Sequence, residues 1–230
     1  MKRKSISAFF PALNEEDSIA KLTHDLLKVL QSKFEQYEVI IINDGSTDRT
    51  AEIADEICMR NDGHVKAIHH AQSNGYGNAL KAGFKAARND LVFFTDGDYQ
   101  FDMNDLYTAL RLIDGYDIIT GYRKNRQDSQ RRIWLSKGYN YLIRVLFGLK
   151  LKDIDCSFKL FKKTALEKIS LESDGYFIDT ELIIKSQTHS LKIKEFAVKH
   201  LPRTSGVSKV KLKHIFITLH EIVKLWKTLK

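Results

Sequence analysis

Cysteine and proline are nearly absent from this chain of 230 residues, which holds two of each. Cys58 and Cys156 lie far apart, so they offer no metal-ligand spacing, and so low a count suits a reducing compartment rather than a disulfide framework. Pro11 and Pro202 sit near opposite ends, and no Pro/Gly-rich linker, low-complexity tract or internal repeat divides the chain. No run of about 18 apolar residues occurs, so no membrane-spanning helix is expected and any membrane contact is expected to be peripheral. The opening "MKRKSISAFF" is basic, but its apolar run is too short for a signal peptide. His69, His70 and His214 lack partners at metal-ligand spacing, Ser46 and Ser73 lack a His/Asp pattern for nucleophilic catalysis, and Met59 and Met103 read as packing residues.

The chain does hold enough apolar material for a sizeable core: 43% hydrophobic against 29% charged residues, the balance of an ordinary globular protein. Its formal net charge is +8 and its pI about 9.3. That excess favours anionic partners such as nucleotide sugars, phospholipid surfaces or nucleic acid, with a merely solvated basic surface as the plain alternative.

Two patterns alternate along the first half. Apolar, β-branched or aromatic runs at 5–10, 38–42, 65–69, 91–95 and 117–120 predict buried strands. Helical spacing lies between them: from Ile19 through Leu22, Leu26 and Leu30, over Thr47 to Met59, Asn78 to Ala87, and Asp105 to Ile113. Strand, helix, strand in repetition predicts an α/β fold, a mostly parallel sheet covered by helices on both faces. Ligands of such sheets bind beyond the carboxyl ends of the strands. The polar stretches "PALNEED", "NDGSTD", "HAQSNGYGNA" and "TDGDYQFD" each follow one strand.

The second half differs. Residues 131–150 mix aromatic and aliphatic side chains with arginine and lysine. A strand-like "CSFKLFKK", helices near 163–170 and 178–190, and a strand at 192–198 follow. Residues 209–230 predict a helix with Ile215, Phe216, Leu219, Ile222, Val223 and Trp226 on one face, largely avoided by Lys213, Lys224, Lys227 and Lys230.

Asp96 and Asp98 flank a glycine at the exit of a fully apolar strand. Two carboxylates on such a turn can converge on Mg²⁺ or Mn²⁺, ions held by one or two carboxylates plus substrate phosphate oxygens. Gln100 and Asp102 stand where an outer ligand or a loop anchor is needed; a solvated turn is the plain alternative. In "NDGSTD", Ser46 or Thr47 predicts an N-cap with Asp48 in the first helical turn, and Asp44 can accept from ribose hydroxyls or a base. Glu15 and Glu16 fit a first helical turn, where the macrodipole favours them. The glycine-rich stretch with Asn74, Gly75 and Lys81 can cradle phosphates at a helix N-terminus, although it is neither a dinucleotide fingerprint nor a P-loop.

Pro11–Glu16, Asn43–Asp48, Asn74–Gly83 and Asp96–Asp102, in this order and spacing, resemble a family 2 glycosyltransferase of the GT-A (Rossmann-like) fold. "GYRKN" (121–125), "RIWLSKGYNYLIRVLFG" (132–148), "DIDCSFKLFKK" (153–163), "FIDTELIIK" (177–185) and "HLPRTSGVSK" (200–209) narrow the resemblance to polyprenyl-phosphate sugar transferases of the dolichyl-phosphate mannose synthase type. It implies that Pro11, Leu13, Glu15 and Asp44 line a base and ribose site, and that Asn74, Gly75, Lys81 and Gly97 belong to the nucleotide-sugar site. Asp96 and Asp98 would ligate the metal with Gln100 beside them. Arg123, Arg132 and Ser136 would hold the acceptor phosphate. Asp153 opens the motif before Ser157–Phe158, and Arg203, Ser208 and Lys209 belong to a loop over the donor diphosphate. Asn43 stands where the family often has aspartate, and Cys156–Ser157 where it often has glycine.

The reaction so implied is metal-dependent, inverting transfer of a hexosyl group from a UDP- or GDP-linked sugar to a polyprenyl phosphate. That acceptor is largely ionised near neutral pH, its second pKa being about 6, so it needs positioning more than deprotonation; Asp153 as a base is the lesser alternative. The organisation expected is a transferase domain over 1–210 and an amphipathic helix over 211–230. The expected location is cytoplasmic, peripheral at a membrane face. Residues 133–148 fit an interfacial helix, with Ile133, Trp134, Tyr141, Leu142, Val145, Leu146 and Phe147 toward lipid and Arg131, Arg132, Lys137, Arg144 and Lys150 at headgroups; packing on the core is the alternative there, and the stronger one for the last helix. A membrane-anchoring subunit and a homo-oligomer stay open. Two competing classes remain: a transferase acting on a soluble glycan or protein, and a non-enzymatic nucleic-acid-binding module with no use for Asp96 or Asp98. No nucleic-acid partner is expected.

Overall fold

Every strand run of the first half pairs into one sheet in the computed structural model, which describes residues 3–61, 63–203 and 212–229. β1 (Arg3–Ala12) lies at its centre, parallel to β2 (Phe34–Asn43) on one side and β4 (Leu91–Phe94) on the other. β3 (Val65–His69) extends the sheet beyond β2. β6 (Lys159–Lys162) is antiparallel to both β4 and β5 (Ile118–Lys124), and β7 (Ile193–Lys199) closes the row parallel to β5. The order β3-β2-β1-β4-β6-β5-β7 steps outward from β1 and then returns to its other side. Strand order therefore reverses at β1, and a crevice opens there at the carboxyl ends.

Residues 39–42 of β2 and all of β4 are apolar throughout because both sheet faces are covered there. Ile6, Ala8 and Phe10 of β1 pack under α1 (Ile19–Lys33), α2 (Thr50–Arg60) and α4 (Leu106–Leu112). Phe9, one residue out of phase, joins Ile40, Ile42 and Phe94 under α3 (Tyr76–Ala86), α5 (Gln130–Phe147), α7 (Ile178–Thr188) and α8 (Leu212–Thr228). Each such fully buried side chain contributes about 1.5–3 kcal/mol over its exposed state. In α1, Leu22, Leu26 and Leu30 recur every fourth residue and are all buried.

Several local expectations are corrected. α2 starts at Thr50, not Thr47, because Asp48 folds back and accepts from the Thr50 amide at 3.0 Å. Glu15 and Glu16 precede α1, whose N-cap is Ser18. The helix expected near 163–170 is a single turn, α6 (Lys163–Leu166), and Cys156–Phe158 fall outside β6. Met59 does not pack: it is 75% exposed on α2. The apolar residues of α5 divide, with Ile143 buried, Leu142, Leu146 and Phe147 packed against the core, and Trp134, Tyr141 and Val145 exposed. The single face expected on α8 is two: Ile222 and Leu225 are buried, while Phe216, Leu219 and Val223 are exposed. With apolar residues on both sides of the helix, one periodicity cannot separate the buried side from the exposed one. Ile215 of that expected face, and Lys213 and Lys230 expected off it, lie outside the described side chains.

Candidate active site

The exits of β1, β2, β3 and β4 converge on a cleft of about 840 Å³. Side chains lace the first two together: Ser46 accepts from the Asn14 amide at 2.9 Å, and Asn14 accepts from the Thr47 amide at 2.8 Å. Gly45 turns at φ +69°, and a Cβ there would stand 2.4 Å from the Gln72 backbone, so only glycine lets the β2 and β3 exits approach this closely. Asp44 completes the joint. Its carboxylate accepts from the Asn74 and Gly75 amides (3.0 and 3.2 Å) and the Ser73 hydroxyl (2.8 Å), and lies 2.7 Å from His70 Nδ1.

Asp96 and Asp98 enter the cleft from the β4 exit. Gly97 between them passes so near β1 that a Cβ would lie 2.5 Å from the Pro11 carbonyl oxygen. Asp96 accepts from Tyr76 Oη at 3.0 Å and Ser157 Oγ at 2.6 Å. Behind it, Asp179 pairs with the fully buried Lys159 at 2.7 Å and meets Tyr76 Oη at 3.1 Å. Asp98 accepts from the Gln100 amide at 3.2 Å and from Arg203. Burial and the neighbouring Asp96 charge push the Asp98 carboxyl up to about 7, against the opposing pull of Arg203. Two carboxylates crowded in this way suit a bound cation. Among the described residues no group of three or more His, Cys, Asp or Glu side chains is arranged to hold a metal, so the pair fits an ion that takes its other ligands from substrate phosphates and water.

Arginines line the same cleft. Arg123 forks onto Asp153 through Nε (2.7 Å) and Nη2 (2.6 Å), and both side chains are nearly buried. Burial disfavours the Asp153 charge, but Arg123 outweighs it and holds the carboxyl below its ordinary range. Nearby, Asp128 joins Arg126 and Arg132, and Arg126 donates to Ser136 Oγ at 2.7 Å. Burial pushes His200 down to about 4, and its Nδ1 accepts from the Gln127 amide at 3.2 Å.

Residues 7–170 match the family described as glycosyl transferase family 2. The chain belongs to that family. It is 30% identical over 232 residues to glycosyltransferase AglD of Haloferax volcanii, covering 96% of this chain and 37% of that one. It is 29% identical to an undecaprenyl-phosphate 4-deoxy-4-formamido-L-arabinose transferase of Edwardsiella ictaluri and 30% identical to a dodecaprenyl-phosphate galacturonate synthase of Rhizobium johnstonii, and spans 66% of each. This chain thus spans about a third to two thirds of the length of these relatives. The fold matches glucosyl-3-phosphoglycerate synthase from Mycobacterium tuberculosis, solved with Mn²⁺, UDP-glucose and phosphoglyceric acid, at a TM-score of 0.69 and 18% identity over 95% of this chain and 77% of that one. The architecture is the GT-A fold.

In this family 2 glycosyltransferase the cleft gathers Pro11, Leu13, Glu15, Asp44, Gly75, Asp96, Gly97, Asp98, Gln100, Arg123, Arg132, Ser136 and Arg203. Asn74 meets it through its amide on Asp44. Gln100 turns its side-chain amide to the Leu201 carbonyl at 3.3 Å. Lys81 is not among the lining residues; its ammonium pairs with Asp174. Asp153 backs Arg123 rather than facing the space. Ser208 and Lys209 lie outside the described residues. Sequence reasoning passed over Tyr76, Arg126, Asp128, Asp155, Ser157, Lys159 and Asp179. Asp179 and Lys159 carried one usable signal, charged residues inside otherwise apolar runs, which are almost never buried unless paired.

Proposed function

We propose that this chain transfers a hexosyl group from a nucleotide sugar to a polyprenyl phosphate at a membrane surface, with Mg²⁺ or Mn²⁺ on Asp96 and Asp98. One observation carries the reading: a single cleft is lined both by a crowded carboxylate pair, Asp96 and Asp98, and by the arginines Arg123, Arg126 and Arg132. The relatives named for undecaprenyl and dodecaprenyl phosphates support the acceptor class, and the Mn²⁺ and UDP-glucose of the structural neighbour support the donor class.

The division of labour follows from the side chains. Pro11, Leu13, Glu15 and Asp44 border the nucleoside end. The bound ion supplies positive charge where the diphosphate leaving group gathers negative charge. In this reading Arg203, now on Asp98, transfers its guanidinium to that diphosphate. Arg132 and Ser136 hold the acceptor phosphate oxygen toward the sugar carbon, and Arg123, fixed by Asp153, adds charge behind them. The acceptor is already anionic, so no strong base is required, and attack opposite the leaving group inverts the anomeric centre. Trp134 (70% exposed), Tyr141 and Val145 of α5 and Phe216 (73% exposed), Leu219 and Val223 of α8 supply apolar footing beside the cleft mouth, where Leu135 and Ile217 also lie. Among the described residues no helix is long and apolar enough to cross a membrane.

The test is transfer of radiolabelled sugar from UDP- and GDP-sugars into solvent-extractable lipid with polyprenyl phosphate and Mn²⁺. Labelled lipid is expected, with loss on Asp98→Ala or chelation. Efficient transfer to a water-soluble acceptor with none to lipid would overturn the reading.

A further inference from the structure

We propose that Arg126 is a direct ligand of the acceptor phosphate and that Asp128 positions it as one clamp with Arg132. The inference rests on the acceptor class proposed above and adds residues to that site. Arg126 and Asp128 lie in the loop after β5; Arg132 and Ser136 lie in the first two turns of α5. One Asp128 oxygen accepts from Arg126 Nε and Nη2 at 2.9 and 2.8 Å, and the other lies 3.0 Å from Arg132 Nη1. Arg126 Nη1 donates to Ser136 Oγ at 2.7 Å.

The side chains of Arg126 and Asp128 are only 13% and 5% exposed. Two guanidiniums brought together, one of them largely buried, repel each other unless an anion lies between them. Asp128 is that anion, so the pair stands preformed before any ligand arrives. Two cations and one carboxylate leave a net charge of +1 facing the cleft. A guanidinium has five N–H donors; Arg126 commits three, to Asp128 and Ser136, and keeps two. Arg132 is 41% exposed and commits Nη1. A phosphate monoester dianion supplies the acceptor oxygens and the charge that this arrangement lacks. Arg123 is anchored in the same manner, its Nε and Nη2 both on Asp153. The loop is itself held: the Gln127 amide, between the two clamp residues, donates to buried His200.

The experiment titrates farnesyl phosphate, farnesol and inorganic phosphate into the full chain by calorimetry with Mn²⁺ present, for wild type, Arg126→Ala, Arg126→Lys and Asp128→Asn. Mn²⁺–UDP and Mn²⁺–GDP binding report separately on fold and donor site. Arg126→Ala and Arg126→Lys are each expected to weaken farnesyl phosphate about tenfold or more with nucleotide binding unchanged, since lysine cannot fork to Asp128 and Ser136 together. Asp128→Asn is expected to raise the acceptor KM more than it lowers kcat. Wild-type affinity in both Arg126 variants overturns the clamp while leaving the proposed reaction standing. Inorganic phosphate bound as tightly as farnesyl phosphate, with the same dependence on Arg126, supports the clamp and overturns the lipid acceptor. A wild type that binds nucleotide but no phosphate ligand overturns both.

Discussion

Tyr76 Oη stands 3.0 Å from a carboxylate oxygen of Asp96 and has Asp179 at 3.1 Å on its other side. A phenol has one proton, so it donates to one carboxylate at a time. In the proposed metal site Tyr76 acts as the donor that orients Asp96. Tyr76→Phe is expected to weaken Mn²⁺ binding about tenfold, the scale of lost ligand-orienting contacts. Free Mn²⁺ measured by electron paramagnetic resonance checks this; unchanged affinity would leave Ser157 as the sole orienting hydroxyl.

Asp155 lines the cleft and accepts from Thr180 Oγ1 at 3.0 Å. Burial, then the Asp153 and Asp179 charges, push its carboxyl from 3.8 up to about 6. A carboxyl raised on folding stabilises the native state below its unfolded pKa, and that contribution is lost as pH rises through the folded one. Asp155→Asn keeps the acceptor for Thr180 and removes the charge. The variant is expected to gain on wild type between about pH 4 and pH 6, reaching on the order of 2–3 kcal/mol at pH 8. Urea unfolding across that range gives the answer, and a difference independent of pH would contradict it.

Lys159 is wholly buried and its ammonium rests on Asp179 and the Cys156 carbonyl. Asp179→Asn leaves a buried cation without its anion, at an expected cost of about 3–5 kcal/mol. Lys159→Met with Asp179→Leu removes both charges and should recover most of that loss. Chemical denaturation of the three proteins tests the order; a double variant no better than the single one would mean that the pair specifies the packing around it.

The exposed apolar residues of α5 and α8 predict binding to vesicles containing anionic lipid at low salt. Trp134→Glu with Phe216→Glu is expected to lower co-sedimentation about tenfold or more, because each side chain withdraws about 1.5–3 kcal/mol of burial. Met59→Glu is the control: that side chain is as exposed, but α2 covers the other face of the sheet. Equal losses in the two variants would refute a directed footing.

The strand runs were legible because a strand buried on both faces must be apolar at every position, and the carboxyl-end loops because they interrupt such runs with Asp, Asn and Gly. Helix starts were less legible. Asp48 and Ser46 carry the chemistry of caps, yet their side chains serve a turn and a neighbouring loop instead, a choice made by contacts some 32 residues away. The two faces of α8 look alike in sequence because both carry large apolar side chains, buried at Ile222 and exposed at Phe216.

Sequence alone determined the α/β alternation and the loops that carry the acidic and amide side chains, since each follows from local pattern, and its motifs carried the resemblance to the family. Only the tertiary structure decided which charges are shared. Asp153 took Arg123, Asp98 took Arg203, and Asp179 took Lys159. The reason is that a charge leaving water must find its counterion among whatever the fold brings within a few ångströms, and no separation along the chain specifies that distance.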